Sequence, residues 1–170
     1  MNCSIMPDYH MRRKDKEITD PDELIKPLRE AKYITLALCR ENKPYLATLS
    51  HGYDAENNCI YFHSAREGKK IEYLKANPMV WGQALIDNGY QQGSCDHLYH
   101  TAQFSGTVRF LEDHEEKKHA LKIMIRKLDD NPDEIILKQI QPSSIAKVHI
   151  GKIKINEITG KKADKVIISL

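Results

Sequence analysis

The 170-residue chain lacks any apolar run approaching the roughly 20 residues needed to cross a bilayer, and Met1-Asn2-Cys3-Ser4 opens no hydrophobic signal segment. These absences lead to the expectation of a soluble, cytoplasmic protein with no membrane partner. It also lacks charge of one sign, since 26 basic and 24 acidic residues leave a net charge of only +2. That surplus is too small for binding nucleic acid through general phosphate neutralisation. The four cysteines, at 3, 39, 59 and 95, form no Cys-x-x-Cys pair, and residues 39 and 59 lie in apolar strand-like runs, so reduced, buried thiols are expected. A Gly-x-x-x-x-Gly-Lys-Ser/Thr segment is missing too, which argues against a nucleoside triphosphate loop, and there is no internal repeat.

What is present suits one domain with a core that needs no metal or disulfide. Residues 1–18 read as an N-terminal arm, 19–158 as the domain and 159–170 as a C-terminal tail ending in an apolar run. Asp20-Pro21 starts a short amphipathic helix with Leu24, Ile25, Leu28 and Ala31 on one face. Strands are expected over 33–39, 45–53, 59–63 and 80–86, with a loop at 41–44 and a mobile connection at 87–92. From Thr101 to Leu111 the alternation is strict, and Ala102, Phe104, Gly106, Val108 and Phe110 share one face. Asp113 with Glu116 starts a further helix, and Asn131-Pro132 starts another through Ile140. Ala146, Val148 and Ile150 hold one parity while Ile153 and Ile155 hold the other, which predicts a strand with a bulge at Gly151-Lys152. Short antiparallel strands with helices confined to the connections point to a small closed or nearly closed barrel.

The most informative stretch is 58–78, a strand from Cys59 to His63 that runs into a basic helix. Ser64 with Glu67 reads as a capping box, and Asn77-Pro78 as the stop. A helix start carries unpaired N–H groups and the positive end of the macrodipole. Lys69 and Lys70 lie one turn on and can lean back toward an anion there. Gly68, costly inside a helix, suggests close approach of a ligand. The competing reading is a solvated basic helix that packs Ile71 and Leu74 on the core. His63, at the carboxyl end of the strand, is as well placed for a structural hydrogen bond as for chemistry.

Other constellations are weaker. Cys95, His97 and His100 match no established tetrahedral metal spacing, and no metal is expected. Ser64 and His63 point to opposite faces of a strand, and Cys59 lies four residues from His63, so a nucleophile–base pair is not formed. Thr48 and Ser50 share a face, as do Trp81 and Gln83; these could line a flat cavity for an aromatic ring system, with Trp81 expected to pack in the core.

On three ordered segments, Met11-Arg12-Arg13-Lys14-Asp15, Phe62 to Ile71 with the stop at Asn77-Pro78, and Ser105 to Asp113, the chain resembles the flavin-binding split-barrel family. More narrowly, it is similar to the 5-nitroimidazole resistance branch of the pyridoxamine 5′-phosphate oxidase-like superfamily. The resemblance implies a mainly β fold with helices, a six-stranded antiparallel Greek-key split barrel. It further implies a homodimer with flavin at the subunit interface, FMN being expected and FAD possible. By position, Lys69 and Lys70 would grip the flavin phosphate with Ser64 nearby. Thr48, Leu49 and Ser50 would run beside the isoalloxazine, Tyr99 and Thr101 would approach from the partner subunit, and His63 would be the catalytic histidine. The implied activity is reduction of a small electron-poor acceptor such as a nitroimidazole, the alternatives being a non-catalytic flavin module or a related oxidase with another substrate. The C-terminal residues 163–170 contain no arginine or tryptophan with which to hold pyridoxamine phosphate. Lysine at 69 offers a phosphate a point charge rather than a fork.

Overall fold

The computed structural model describes residues 11–164. Asp20 caps α1 (Pro21–Glu30), its carboxylate accepting the N–H groups of Asp22 and Glu23 at 2.9 and 3.0 Å. Strands β1 (Tyr33–Arg40) and β2 (Lys43–Ser50) form a hairpin. Its loop is the pair Glu41-Asn42, shorter than the expected 41–44, and both residues have the positive φ of a type I′ turn. Pro44 is tolerated because β2 is an edge strand. Then follow β3 (Gly52–Asp54), β4 (Cys59–His63), α2 (Lys69–Ala76), β5 (Met79–Gln91), β6 (Asp96–Phe110), α3 (His114–Leu128), α4 (Pro132–Gln139), α5 (Pro142–Lys147) and β7 (Ile150–Ala163).

All strands pair antiparallel in the order β2-β1-β5-β6-β7-β4-β3. Among the described residues the sheet therefore has seven strands, not six, and its edges β2 and β3 are not hydrogen-bonded to each other, so the barrel is open. Those edges are separated in sequence only by His51, and β2 also approaches β4. The inner face buries Ile34, Leu36, Leu38, Ile60, Phe62 and Phe104, as the alternation in β1, β4 and β6 requires. The other face of β4 packs Cys59 and Tyr61 beneath α3 with Ala120 and Met124. Gly82 and Gly151 leave room for the rings of Phe104 and Phe62, each of which comes within 2.2 Å of where a Cβ would stand.

Several expectations change. Residues 87–91 continue β5 with a register shift between Asp87 and Tyr90, because the long hairpin with β6 keeps them paired. Ala146 lies in α5 rather than in a strand, since Pro142 opens a helix that buries Ile145. The bulge falls at Asn156, between the pairs Gly106↔Ile155 and Ser105↔Glu157, not at Gly151-Lys152. β7 runs on through 159–163, and Ile18 lies along it, donating its N–H to the Gly160 carbonyl at 3.0 Å. Cys59 is buried as expected, but Cys39 and Cys95 are exposed. The arm's residues 1–10, with Cys3, and the tail's apolar run Val166 to Leu170 lie outside the described residues. Among the described residues no helix is long and apolar enough to cross a membrane, and no cluster of three or more metal-ligating side chains occurs.

Candidate functional site

The segment between β4 and α2 is built differently from a capping box. The helix starts at Lys69, and Gly68 is its N-cap with φ 114°, a conformation other residues adopt only with strain. Nothing lies within 4 Å of where a Gly68 Cβ would be, so the backbone there is open to an approaching group. Ser64, freed from capping, donates its N–H to the His149 carbonyl at 3.0 Å. Its Oγ is buried and, among the described residues, has no hydrogen-bond partner. A buried hydroxyl left unpaired costs on the order of 1–3 kcal/mol, a deficit that a bound ligand oxygen would remove.

Two cations open α2. Lys69 Nζ lies 4.5 Å from the centroid of Tyr45 on β2 and 5.8 Å from that of Tyr73, and Lys70 Nζ lies 5.7 Å from that of Phe62. Aromatic faces hold both ammonium groups without neutralising them, and among the described residues neither has a carboxylate within 4.0 Å. Partial burial draws the Lys70 ammonium below its ordinary range. His63 ends β4 beside them. Desolvation, then the charges of Lys70 and His149, lower its proton affinity.

Thr48 and Ser50 project from the outer face of β2 while Leu49 packs inward. The Thr48 hydroxyl pairs with that of Thr35 at 3.1 Å. Tyr45, whose ring holds Lys69, lies three residues, about 10 Å, along β2 from Thr48 and on the opposite face of the strand. Trp81 was expected in the core; it sits instead on this outer face, about half exposed, because the opposite parity of β5 carries Val80, Gly82 and Ala84 inward. With Thr35, Ala37, Leu46, Gln83 and Gln103 it lines a shallow hollow of about 130 Å³. Thr101 lies two residues along β6 from Gln103 of this hollow, but it and Tyr99 are far from the phosphate anchors. They are on β6 about nine residues from Phe110, which neighbours the β4–α2 segment, so roughly 30 Å of strand intervenes. Thr101 Oγ1 donates to the Lys161 carbonyl at 3.3 Å, and Lys16 sits over the Tyr99 ring.

The fold also gathers residues that the sequence did not single out. His149 precedes β7, stacks on Phe110 with centroids 4.2 Å apart and 12° between planes, and donates Nδ1–H to the Ala65 carbonyl at 2.9 Å. Its only sequence signal was a polar position before an apolar strand. Arg66 donates to the carbonyls of Ala146 and Lys147, fixing the same loop from the other side.

Comparison with known proteins agrees with this architecture. Among curated proteins nothing matches the chain. A candidate 5-nitroimidazole antibiotic resistance protein from Bacteroides thetaiotaomicron is 28% identical over 85% of each chain, with a TM-score of 0.70. An FAD-binding protein from Mesorhizobium loti is 23% identical over 85% of this chain and 96% of its own, with a TM-score of 0.61. An FAD and heme binding protein from Mycobacterium smegmatis is 15% identical over 88% of this chain and 74% of its own, with a TM-score of 0.72; the last two share the fold. The family described as pyridoxamine 5′-phosphate oxidase matches residues 20–162, which takes in every described strand and α-helix but the last residue of β7, and the chain belongs to it.

Proposed function

We propose that the protein is a flavin-binding oxidoreductase, FMN being the expected cofactor, which reduces a small electron-poor acceptor such as a nitroimidazole. The observation that carries this reading is the buried Ser64 hydroxyl, without a partner among the described residues, in the loop that leads to an open helix start whose first two residues are lysines with no carboxylate partner there. A phosphate oxygen supplies the missing acceptor and its charge meets both ammonium groups. FAD would bring the same class of anion, and lysine at both positions gives no fork geometry with which to choose.

The flavin, when bound, supplies the electron transfer. The chain's contribution is to hold its phosphate with Ser64, Lys69 and Lys70 and to lay the backbone of Thr48 to Ser50 along its ring. His63 orients the acceptor near that ring. Because its surroundings disfavour the imidazolium, His63 serves at neutral pH as a neutral hydrogen-bonding group rather than a stored acid. The similarity to the Bacteroides protein supports the nitroimidazole assignment.

A second copy of the chain completes the site in this reading. The 130 Å³ hollow is less than the roughly 300 Å³ of a small-ligand pocket and forms only one wall. Around it Leu46, Met79, Trp81 and Leu85 are exposed on one sheet face, an apolar surface suited to a homodimer. Tyr99 and Thr101 would then reach the flavin of the partner.

Replacing Lys69 and Lys70 together with alanine is expected to lower flavin retention at least tenfold, measured as flavin per protomer after purification; unchanged retention sinks the anchoring. Flavin reduced by a nicotinamide donor should be reoxidised faster by a nitroimidazole than by air. Equal rates would leave a binding module without this turnover.

A further inference from the structure

We infer that His149, which precedes β7 and packs against the β4–α2 loop, is an anion-recognising imidazole that meets the ligand's phosphate through Nε2. The inference rests on the reading that this loop holds a phosphate. A backbone carbonyl can only accept, so the 2.9 Å contact with Ala65 requires a proton on Nδ1 and leaves Nε2 as the ring's second polar position. Among the described residues no protein group bonds Nε2, whereas the stack on Phe110 fixes the plane of the ring. The main chain of residue 149 is tied to the loop as well, its carbonyl accepting the Ser64 N–H at 3.0 Å. The Ser64-Ala65 segment and His149 are thus tied by two hydrogen bonds, one at each loop residue; among the described residues the buried Ser64 Oγ has no partner, and the half-buried His149 keeps Nε2 free of protein partners.

The charges around the ring fit an anion. Lys70 and His149 lie close enough to His63 for their charges to be felt there, and Arg66 is anchored on the carbonyls of Ala146 and Lys147 just before His149. Among the described residues no carboxylate pairs with His149, so nothing of the protein's own offsets this cluster. A phosphate monoester can exist as a monoanion near neutral pH because its second ionisation lies near 6. One proton, brought by that monoanion or by solvent, then bridges a phosphate oxygen and Nε2. No oxidant or other reactant is needed.

The test compares FMN with riboflavin, which has the same ring and no phosphate. In His149→Asn the side-chain amide can still donate to Ala65 while Nε2 is lost. FMN affinity should fall about tenfold or more with riboflavin affinity unchanged, and His149→Gln, whose amide reaches the Nε2 position, should restore part of the loss. Unchanged FMN affinity in His149→Asn overturns the inference, and so do equal losses for both ligands, which would mark a merely structural residue. Wild-type protein that binds FMN no better than riboflavin overturns the underlying phosphate reading along with it. Should His149→Asn fail to fold, ¹⁵N-histidine spectra of the wild type decide: the His149 Nε2 resonance should move on adding FMN and not riboflavin, and a fixed resonance refutes the contact.

Discussion

His63 and His51 show how neighbours rather than residue type set what a histidine does. His63 is held toward the neutral form partly by the uncompensated Lys70 ammonium. An anion on Lys70 would cancel that repulsion, so FMN should raise the pH at which His63 titrates, whereas riboflavin should not. NMR titration of the His63 ring with each ligand checks this, and equal midpoints would separate Lys70 from the phosphate. His51 is fully buried between α1 and α3; Lys127 Nζ donates to its Nε2 at 2.7 Å and to the Leu28 carbonyl at 2.9 Å. Burial, then the lysine charge, pushes the imidazole down to about 4. The unfolded chain takes up this proton near pH 6.5 and the folded one only near 4, so stability is lost as pH falls through that window. Between pH 7 and pH 5 the loss is about 2 kcal/mol. Denaturant unfolding should show it in the wild type and not in His51→Gln. His51 drew no attention in the sequence, because burial of a polar residue between two helices depends on contacts from residues 28 and 127.

Elements were legible where a local rule acted alone. Strand β4 ends where its apolar run ends, α2 buries Ile71 and Leu74, and Asp113 caps α3 by accepting the Glu116 N–H at 2.8 Å. The Ser64–Glu67 pattern misled for a physical reason: Gly68 turns into a left-handed conformation, postpones the helix to Lys69, and leaves the serine for the β7 side. α5 was misread as strand because Ala146, Val148 and Ile150 alternate, yet Pro142 had already set a helical φ. His149 follows from both errors, since it meets Ala65 only when the loop and α5 take their observed paths. Gly68 itself gives a test at this scale. In Gly68→Ala the added methyl meets nothing, so a loss of about 1 kcal/mol or more is conformational strain. Denaturant unfolding should show that loss in the apo protein, together with weaker FMN binding. A variant as stable as wild type would mean that the loop does not need the left-handed turn.

At the scale of the whole molecule, the open barrel divides the proposed site between distant ends. β4 and α2 present the phosphate anchors, the outer face of β2, β1 and β5 presents the shallow hollow, and Tyr99 and Thr101 stand roughly 30 Å along β6 from the anchors. No bend within one chain closes that distance, because β6 is paired with β7 from Tyr99 to Phe110 and with β5 as well from Tyr99 to Thr107. In the proposed dimer a second copy related by a two-fold axis would do so without deforming either sheet, each chain lending the far end of its β6 to the other's cleft. The resemblance stated the dimer, and the exposed leucines and Trp81 supply its physical motive. Leu85, about half exposed on that face, lies outside the hollow and away from the phosphate anchors. Leu85→Glu would bring two like charges to the apolar contact, and no charge in the single chain depends on it. Sedimentation should find wild type dimeric and Leu85→Glu monomeric, with flavin content falling in step with the dimer. A monomeric variant that keeps its flavin would confine the cofactor site to one chain and remove Tyr99 and Thr101 from it.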